Sequence, residues 1–249
     1  MNDPKNPTGA TDDPKPVLSI VIPSLEIDRE LRRCIDSIRI VEPDQRRCEI
    51  VLVVPTKQLS SADELSADAK IVAETHKSIY GAMNDGARAS SGRYLFFCGK
   101  DDILLPSLKE TMDILATQSP SVLYHDVYWG SDGIYRGKPS RWRVLIQNLC
   151  HQGIIYSRST FDRHGPYIRK MRVQSDHLLN IRIIWSKDPE DHKWQYRRTP
   201  LAWYSGTGLS SFARDPVFRK LYPATLRRYV GCWAAVSLRV VRWARGTLR

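Results

Sequence analysis

Short apolar runs alternate with amphipathic segments through the first half of the chain. Continuous β-branched runs are typical of strands buried on both faces. Four such runs occur, at VLSIVIP (17–23), EIVLVVP (49–55), KIVAE (70–74) and RYLFFC (93–98). Helices are predicted between them, where Leu31, Ile35 and Ile38 recur at helical spacing, over Ile79–Ala89, and after Pro106. This alternation predicts βαβ units.

The second half of the chain is more mixed. Strands are predicted at SVLYHDVYW (121–129) and WQYRRTPLAWYS (194–205), a strand running into a helix at GIIYSRSTFDRHG (153–165), and a helix at SDHLLNIRIIW (175–185). We therefore predict an α/β, Rossmann-like fold with a mostly parallel central sheet flanked by helices. In such a sheet, ligands bind beyond the carboxyl ends of the strands.

Composition bounds the setting of this domain. Residues 1–16 are almost free of apolar side chains, so we expect a disordered leader and not a signal peptide. No apolar run approaches the roughly 20 residues that cross a bilayer. The five cysteines are widely spaced without a C-x-x-C pair, which favours a reducing compartment and argues against zinc. We expect a cytoplasmic protein whose main domain covers residues 17–212.

An acidic tetrapeptide, Gly99-Lys100-Asp101-Asp102, directly follows the fourth predicted strand. Two carboxylates at a strand's carboxyl end suit a hard divalent ion such as Mg²⁺ or Mn²⁺, which prefers oxygen ligands and bridges to phosphate. The same residues also fit a strand-to-helix turn in which one aspartate caps the next segment. The tetrapeptide alone leaves both interpretations open.

Four segments together resemble a known family. They are SIVIPS, IYGAMNDGARASSGRYLFFCGKDD, HQGIIYSRSTFDRHGPY and SDHLLNIRI, in that order between Val17 and Ser211. The chain resembles the bacterial family-2 glycosyltransferases, especially the colanic-acid and capsule type, in which a GIYDAMNKG-like stretch precedes a metal-binding acidic motif. The resemblance implies the GT-A fold and the metal-dependent transfer of a hexose from a nucleotide-sugar donor, by default a UDP-sugar, in cell-surface polysaccharide synthesis.

The resemblance also implies roles for individual residues. Asp101 and Asp102 match the DxD-type motif that holds Mn²⁺ or Mg²⁺ and contacts the donor, with Asp102 the first choice as metal ligand. Asp176 matches the general base of an inverting transfer, and His151 and Gln152 match a His-Gln pair at the edge of the acceptor and donor pocket. Further donor-binding positions are Pro23, Ser24, Glu74 and Asn84.

This division of labour is chemically consistent. A metal neutralises the charge that builds on the leaving diphosphate, and a separate carboxylate removes the acceptor proton. A glycosidase would instead need paired carboxylates flanking one bond. Plainer interpretations stay open, because Asp176 also fits a helix N-cap and His151 a buried core histidine, while Tyr80, Met83 and Phe96 fit the core.

Four positions depart from the family pattern. Pro55 stands where an aspartate reads the nucleobase, His76 and Gly81 replace acidic residues, and Lys100 replaces a small polar residue. They put the nucleotide and the sugar in doubt. A catalytically silent domain that only binds a sugar nucleotide or a partner enzyme is therefore an alternative.

Basic residues dominate the end of the chain. The net charge is +11, and no acidic residue follows Asp215. Residues 213–249 are predicted to form a basic amphipathic helix, with six arginines from Arg227 onward on an arc of about 120°. The segment 217–249 fits an interfacial anchor on an anionic membrane, at the inner face of the cell membrane, which would suit a lipid-linked acceptor as well as a glycan. It fits equally a helix that packs on the domain with solvated arginines.

A nucleic-acid-binding protein is the remaining alternative. The charge and the eleven tyrosines and seven tryptophans favour it. However, the arginines concentrate in the tail, and no RNP-like or zinc motif is present. We therefore expect no nucleic-acid partner.

Overall fold

The computed structural model describes residues 15–206 and 215–232. Its strands are β1 Leu18–Pro23, β2 Cys48–Val54, β3 Lys70–Ala73, β4 Tyr94–Phe97, β5 Ile103–Leu104, β6 Val122–Trp129, β7 Ile134–Tyr135, β8 Ile154–Ser157 and β9 Trp194–Tyr204. Its α-helices are α1 Arg29–Val41, α2 Leu59–Ala62, α3 Ile79–Ala89, α4 Ser107–Thr117, α5 Arg158–His164, α6 Ser175–Ile184 and α7 Pro216–Tyr229. Short 3₁₀ helices lie at Thr56–Gln58, Asp63–Leu65, Arg143–Leu145, His151–Gly153 and Pro189–His192.

The described strands form one sheet in the order β3-β2-β1-β4-β8-β6-β9-β5, with β7 paired to β6. β1 is parallel to both β2 and β4, and β2 is parallel to β3, so the first half is the expected parallel unit. β8 runs antiparallel to β4 and β6, and β9 is parallel to β6 but antiparallel to β5. The predicted α/β fold is confirmed, and every antiparallel pair includes at least one strand from the half whose pattern was already mixed.

The sheet separates two apolar clusters. Alternate residues of β1 point to opposite faces, as the pleat requires. Ile20 and Ile22 belong to the cluster that includes residues of α1 and α4, whereas Val21 belongs to the cluster that includes residues of α3, α6 and α7. The amphipathic prediction for α1 is confirmed, since its apolar positions Leu31, Ile35 and Ile38 are buried. The Asp28 side chain accepts a hydrogen bond from the Leu31 N–H and so caps the start of α1.

Several short elements were not predicted. The chain between β2 and β3 forms α2 and two 3₁₀ turns, and β5 and β7 have two residues each. These segments are too short to show a period of 2 or 3.6 residues, which is the signal that identified the longer elements.

The start of the basic tail packs on the domain. α7 inserts Phe218, Tyr222 and Leu226 into the cluster beside α6 and exposes Arg219, Lys220, Arg227 and Arg228. For 216–229 the packed alternative for the tail therefore holds, while residues 233–249 lie outside the described residues, as does nearly all of the predicted leader. Within the described ranges, no helix is long and apolar enough to cross a membrane.

Candidate active site

The acidic pair lies at the carboxyl end of β4. Asp102 is fully buried, and its Oδ2 accepts a hydrogen bond from the Gly99 N–H at 2.7 Å. Its Oδ1 is buried and has no hydrogen-bond partner among the described residues. Burial, with a smaller contribution from the Asp101 charge, raises the pKa of Asp102 to about 8. A raised pKa of this kind shows that the buried carboxylate has no cation beside it to compensate its charge.

Glycine at position 99 makes this arrangement possible. A Cβ on Gly99 would lie 2.8 Å from Asp102 Oδ2 and 2.9 Å from Asp101 Oδ1, which is closer than side chains tolerate. Both carboxylates therefore approach the Gly99 backbone closely. Asp101 is half-buried and accepts a hydrogen bond from the Ser205 hydroxyl, which draws the end of β9 to the same loop.

Lys100 does not neutralise its acidic neighbours. Its ammonium donates to Asp28 at the start of α1 and lies 3.6 Å from Glu30, and the hydrogen bond with Asp28 raises the pKa of Lys100. The pair of aspartates is thus left without a basic partner in the part of the chain that the structure describes. Oxygen ligands without a cation fit a divalent ion completed by phosphate oxygens.

The second carboxylate is Asp176, in the first turn of α6. It is 7% exposed. Its Oδ1 accepts a hydrogen bond from the Tyr80 hydroxyl at 2.8 Å, and its Oδ2 accepts one from the Asn148 amide. The predicted alternative of a helix cap is not observed, because the N-cap residue of α6 is Gln174. Two donors from α3 and from the chain before β8 fix the orientation of this carboxylate.

The segment Cys150–Gln152 lies between the two acidic sites. His151 Nδ1 is 3.9 Å from Asp176 Oδ2, and the Gln152 side chain acts to lower the pKa of Asp102 against the larger effect of burial. Burial raises the pKa of the Cys150 thiol, and the charges of both Asp102 and Asp176 raise it further. The structure therefore places Asp101, Asp102, His151, Gln152 and Asp176 in one region of the molecule; their roles stay predictions from the family resemblance.

His151 has unused hydrogen-bonding capacity. Both ring nitrogens are buried and have no hydrogen-bond partner among the described residues, while the ring stacks on Phe97 at 5.8 Å. Burial lowers the pKa of His151, although the charge of Asp176 opposes this, so the ring is neutral near pH 7. A satisfied core histidine would have its nitrogens paired. This geometry instead fits a group that contacts a ligand.

The predicted donor-binding residues Pro23, Ser24 and Glu74 lie at the same edge of the sheet as Asp102. This follows from the parallel pairing of β1 to β4, which places their carboxyl ends together. Ser24 N–H donates to Val53 O at 2.9 Å, and Glu74 N–H donates to Val54 O at 2.8 Å, so both segments continue the sheet. Pro55, also at this edge, offers no side-chain acceptor for a nucleobase.

Asn84 is engaged with the protein backbone. Its amide nitrogen donates to Tyr167 O, and its oxygen accepts from Tyr167 N–H, both at 2.9 Å. Asn84 therefore fastens the loop after α5 onto α3. The Tyr167 ring lies 5.2 Å from the ring of Tyr80, which binds Asp176. Asn84 thus supports the wall behind the second carboxylate.

Two departures from the family pattern, His76 and Gly81, line a shallow cavity of about 340 Å³ together with Arg88, Arg169 and Lys170. A Cβ on Gly81 would lie 2.8 Å from the Cβ of His76 and 3.1 Å from its carbonyl oxygen. An aspartate at position 81 would therefore displace the backbone at His76. Glycine at position 81 is therefore required by the close approach of the chain at residue 76.

Sequence reasoning missed the groups that position the two carboxylates. The sequence pattern of Tyr80 fits a core residue, and no pattern in the sequence indicates a role for Asn148 or Ser205. Their partners lie 96, 28 and 104 residues away along the chain, so no local pattern links them.

The fold is similar to the GT-A fold of glycosyltransferases. The chain belongs to glycosyl transferase family 2, whose family model matches residues 19–200. It is 31% identical, over 92% of both chains, to proteins named PGL/p-HBAD biosynthesis glycosyltransferase from Mycobacterium bovis and Mycobacterium tuberculosis.

Solved structures with low identity share the fold. TarS 1-349 of S. aureus in complex with UDP-GlcNAc is similar with a TM-score of 0.64 and 13% identity, over 85% of this chain and 67% of that one. This protein spans 60% of the length of the chain in another structure of TarS 1-349. The mannosyltransferase PcManGT from Pyrobaculum calidifontis, in complex with GDP-Man and Mn²⁺, is similar with a TM-score of 0.55 and 14% identity, over 94% of this chain and 80% of that one.

Within the described ranges, no group of three or more His, Cys, Asp or Glu residues is arranged to hold a metal ion. A Mg²⁺-type site on one or two carboxylates plus substrate phosphates does not need such a group.

Proposed function

We propose that this protein is an inverting, metal-dependent hexosyltransferase that moves a sugar from a nucleotide-sugar to a glycan or lipid-linked acceptor in cell-surface polysaccharide or glycolipid synthesis. UDP-sugar is the default donor, and the colanic-acid and capsule enzymes are the proposed functional type. One observation supports this most directly. Asp102 Oδ1 and both His151 nitrogens are buried without hydrogen-bond partners among the described residues, whereas buried polar groups normally have partners. A polar ligand between them would satisfy all three.

Asp102, with Asp101 beside it, is the proposed metal and donor site. Mn²⁺ or Mg²⁺ held there would neutralise the charge on the leaving diphosphate. The residues of this chain prepare the site by keeping Lys100 paired with Asp28, so that this neighbouring ammonium does not compete for the aspartates. Pro23, Ser24 and Glu74 are the proposed donor contacts at the same edge. Asn84, also a proposed donor-binding residue, acts indirectly, because its amide is paired with the Tyr167 backbone beside Tyr80.

Asp176 is the proposed general base. Tyr80 and Asn148 orient its carboxylate, and His151 and Gln152 separate it from the acidic pair. Its proposed action is to take the proton of the acceptor hydroxyl as that oxygen attacks the anomeric carbon, on the face opposite the diphosphate. A positioned base of this kind typically contributes 10²–10⁴-fold to the rate.

The test of the donor site is a calorimetric titration of UDP, GDP and dTDP, each with and without Mn²⁺. We expect one nucleotide to bind tightly and only with the metal. Binding of a nucleotide without turnover over a broad acceptor panel would instead favour the catalytically silent domain, for which His76, Gly81 and Pro55 are the supporting residues. Absence of binding by all three nucleotides would contradict the donor site.

The mycobacterial relatives are named for PGL/p-HBAD biosynthesis, and a lipid-linked acceptor places the enzyme at a membrane surface. We accordingly propose a cytoplasmic protein that binds the inner face of the cell membrane through its basic C-terminus. α7 packs on the domain, so the test is confined to residues beyond it. In the full-length chain, Arg239, Arg242 and Arg245 changed to Gln should weaken sedimentation with anionic vesicles, and unchanged sedimentation would contradict the proposal.

A further inference from the structure

Two large apolar side chains are exposed near the active site. Trp142 is 66% exposed and Ile146 is 40% exposed, on either side of the 3₁₀ turn Arg143–Leu145. Ile134, in β7, is also exposed. Tryptophan is costly to leave in water, so an exposed tryptophan next to other apolar groups marks an interaction surface.

The same segment is exclusively basic. Between Asp132 and Asp162 the sequence contains no acidic residue. Four exposed cations occur before Gln147, namely Arg136, Lys138, Arg141 and Arg143. Within the described ranges, none of the four forms an ion pair. We call Trp142, Ile146 and these four cations the Trp142 surface.

The Trp142 surface is held in place from below. Val144 and Leu145 are buried, the Val144 carbonyl contacts His177 Nε2 at 2.6 Å, and the Leu145 carbonyl accepts a hydrogen bond from the Tyr222 hydroxyl. Trp185, at the end of α6, donates its indole N–H to the Arg141 carbonyl at 2.9 Å. These contacts fix the turn to α6 and α7. Trp142 is therefore presented to the outside by anchored backbone.

Two further contacts join the basic residues to the turn. The Arg141 guanidinium lies 4.2 Å from the centre of the Trp185 ring, and Arg143 donates to the Gln147 amide oxygen, at 3.2 Å for its closer nitrogen. Gln147 in turn donates to the Tyr135 hydroxyl at 3.3 Å, which ties β7 to the turn. Aromatic and cationic groups are thus collected on one anchored segment.

We propose that the Trp142 surface binds an anionic phospholipid membrane. Tryptophan prefers the boundary between headgroups and acyl chains, where its ring is apolar and its N–H is wet. Basic residues next to an anionic leaflet are attracted by its negative surface potential. The complete absence of carboxylates from the segment selects an anionic partner, and the exposed apolar side chains select one with an accessible hydrocarbon layer. This contact is separate from the one proposed for the C-terminal tail.

The position of this surface suits the proposed chemistry. Asn148, two residues after Ile146, donates to Asp176 Oδ2. Membrane contact at Trp142 would bring a lipid-linked acceptor to the side of the site where Asp176 lies. This second step rests on the proposed function, whereas the membrane contact itself does not.

The experiment is sedimentation of the full-length protein with vesicles of phosphatidylglycerol and phosphatidylcholine. The test variant combines Trp142→Ala with Arg143→Gln. The matched control combines Ile40→Ala with Arg33→Gln, which removes an exposed apolar side chain and an exposed arginine from α1. One arginine near an anionic surface contributes about 1 kcal/mol, which is about fivefold in the partition coefficient. With the tryptophan included, we expect the test variant to lose at least about tenfold and the control to match wild type.

A second measurement does not depend on the stability of the alanine variant. Brominated phospholipid should quench a part of the tryptophan fluorescence that is absent in Trp142→Phe. Vesicles of phosphatidylcholine alone should bind wild type and the test variant equally weakly.

Three results would overturn the inference. They are equal vesicle binding by wild type and the test variant, equal loss in the control variant, and a wild-type dimer that Trp142→Ala dissociates without changing vesicle binding. The last result would assign the surface to a second copy of the chain. Turnover of a water-soluble acceptor separates the membrane proposal from the proposed glycosyltransferase function, because the test variant should keep that turnover. A failure of glycosyl transfer would leave the vesicle result valid.

Discussion

The carboxylate after β4 and the carboxylate in α6 are both buried, but their surroundings differ. Asp102 is held by the backbone of its own loop, through Gly99, and one of its oxygens has no hydrogen-bond partner among the described residues. Asp176 has a donor on each oxygen, from Tyr80 and Asn148, and both donors come from distant parts of the chain. The first carboxylate is positioned by its own loop and keeps one oxygen without a hydrogen-bond partner among the described residues. The second is oriented by the assembled fold.

This difference indicates what each site is suited to do. A buried carboxylate without a charged partner needs a cation, because only a bound cation offsets the free-energy cost of its burial. A carboxylate with two fixed donors keeps one orientation, which a base needs if it is to meet a particular hydroxyl. The comparison therefore predicts separate losses when each carboxylate is changed.

The largest effect is expected from Asp176→Asn. The amide cannot accept the acceptor proton, so kcat should fall by about 10²–10⁴-fold. Initial rates with a soluble acceptor measure this. Nucleotide affinity and the melting temperature serve as controls and should stay close to wild type. A kcat within threefold of wild type, which corresponds to a change of about 0.6 kcal/mol in the activation free energy, would exclude Asp176 as the base.

A smaller effect on stability is expected in the same half of the molecule. Asp191, fully buried, accepts hydrogen bonds from Arg163 at 2.9 Å and Thr160 at 3.3 Å, and lies 2.6 Å from His164 Nε2, which ties α5 to the chain before β9. Burial alone would raise the pKa of Asp191, but hydrogen bonds from Ser186, His164 and Arg163 together outweigh it and lower that pKa.

Asp191→Asn should therefore reduce the free energy of unfolding at pH 7 by about 1–3 kcal/mol. Because the folded pKa is lowered, this stabilisation is present above the unfolded value near 3.8 and is lost as the pH falls through the folded value. Denaturant unfolding of both proteins at pH 7 and below pH 4 measures the difference, which should shrink in acid. Asp162→Asn, an exposed change on α5, the helix whose Arg163 and Thr160 contact Asp191, is the control. A difference that grows in acid would refute this account.

The smallest effect is expected from Tyr80→Phe. It removes one of the two hydrogen bonds that orient Asp176, which should cost about 0.5–1.5 kcal/mol, or about 2- to 13-fold in kcat. Tyr167→Phe is the matched control, because the neighbouring Tyr167 hydroxyl has no hydrogen-bond partner among the described residues. If both variants lose activity equally, the effect is one of packing and not of orientation.

Sequence reasoning succeeded where the physical signal is local. The apolar runs of β1, β2 and β4 and the acidic pair that follows β4 are readable from a few consecutive residues. The parallel pairing then places Pro23, Ser24, Glu74 and Asp102 at one edge without further information. The family resemblance added Asp176, His151 and Gln152.

The remaining features depend on contacts between distant segments. The pairing of the Asn84 amide with the Tyr167 backbone, and the donors Tyr80 and Asn148, join parts of the chain that no period or motif connects. The antiparallel placement of β8 between β4 and β6 is likewise decided by the assembled sheet. The apolar face of α7 could pack against either the protein or a membrane, and the sequence alone does not choose between them.

The most direct test of the division between the two carboxylates is a Mn²⁺-dependent titration of the donor nucleotide on two isosteric variants. Asp102→Asn removes the charge that the cation needs, so metal-dependent binding should be lost. Asp176→Asn leaves the donor site intact, so it should bind as wild type does while failing to transfer sugar. Retained metal-dependent binding in Asp102→Asn, or its loss in Asp176→Asn, would contradict the separation of donor and base that the structure supports.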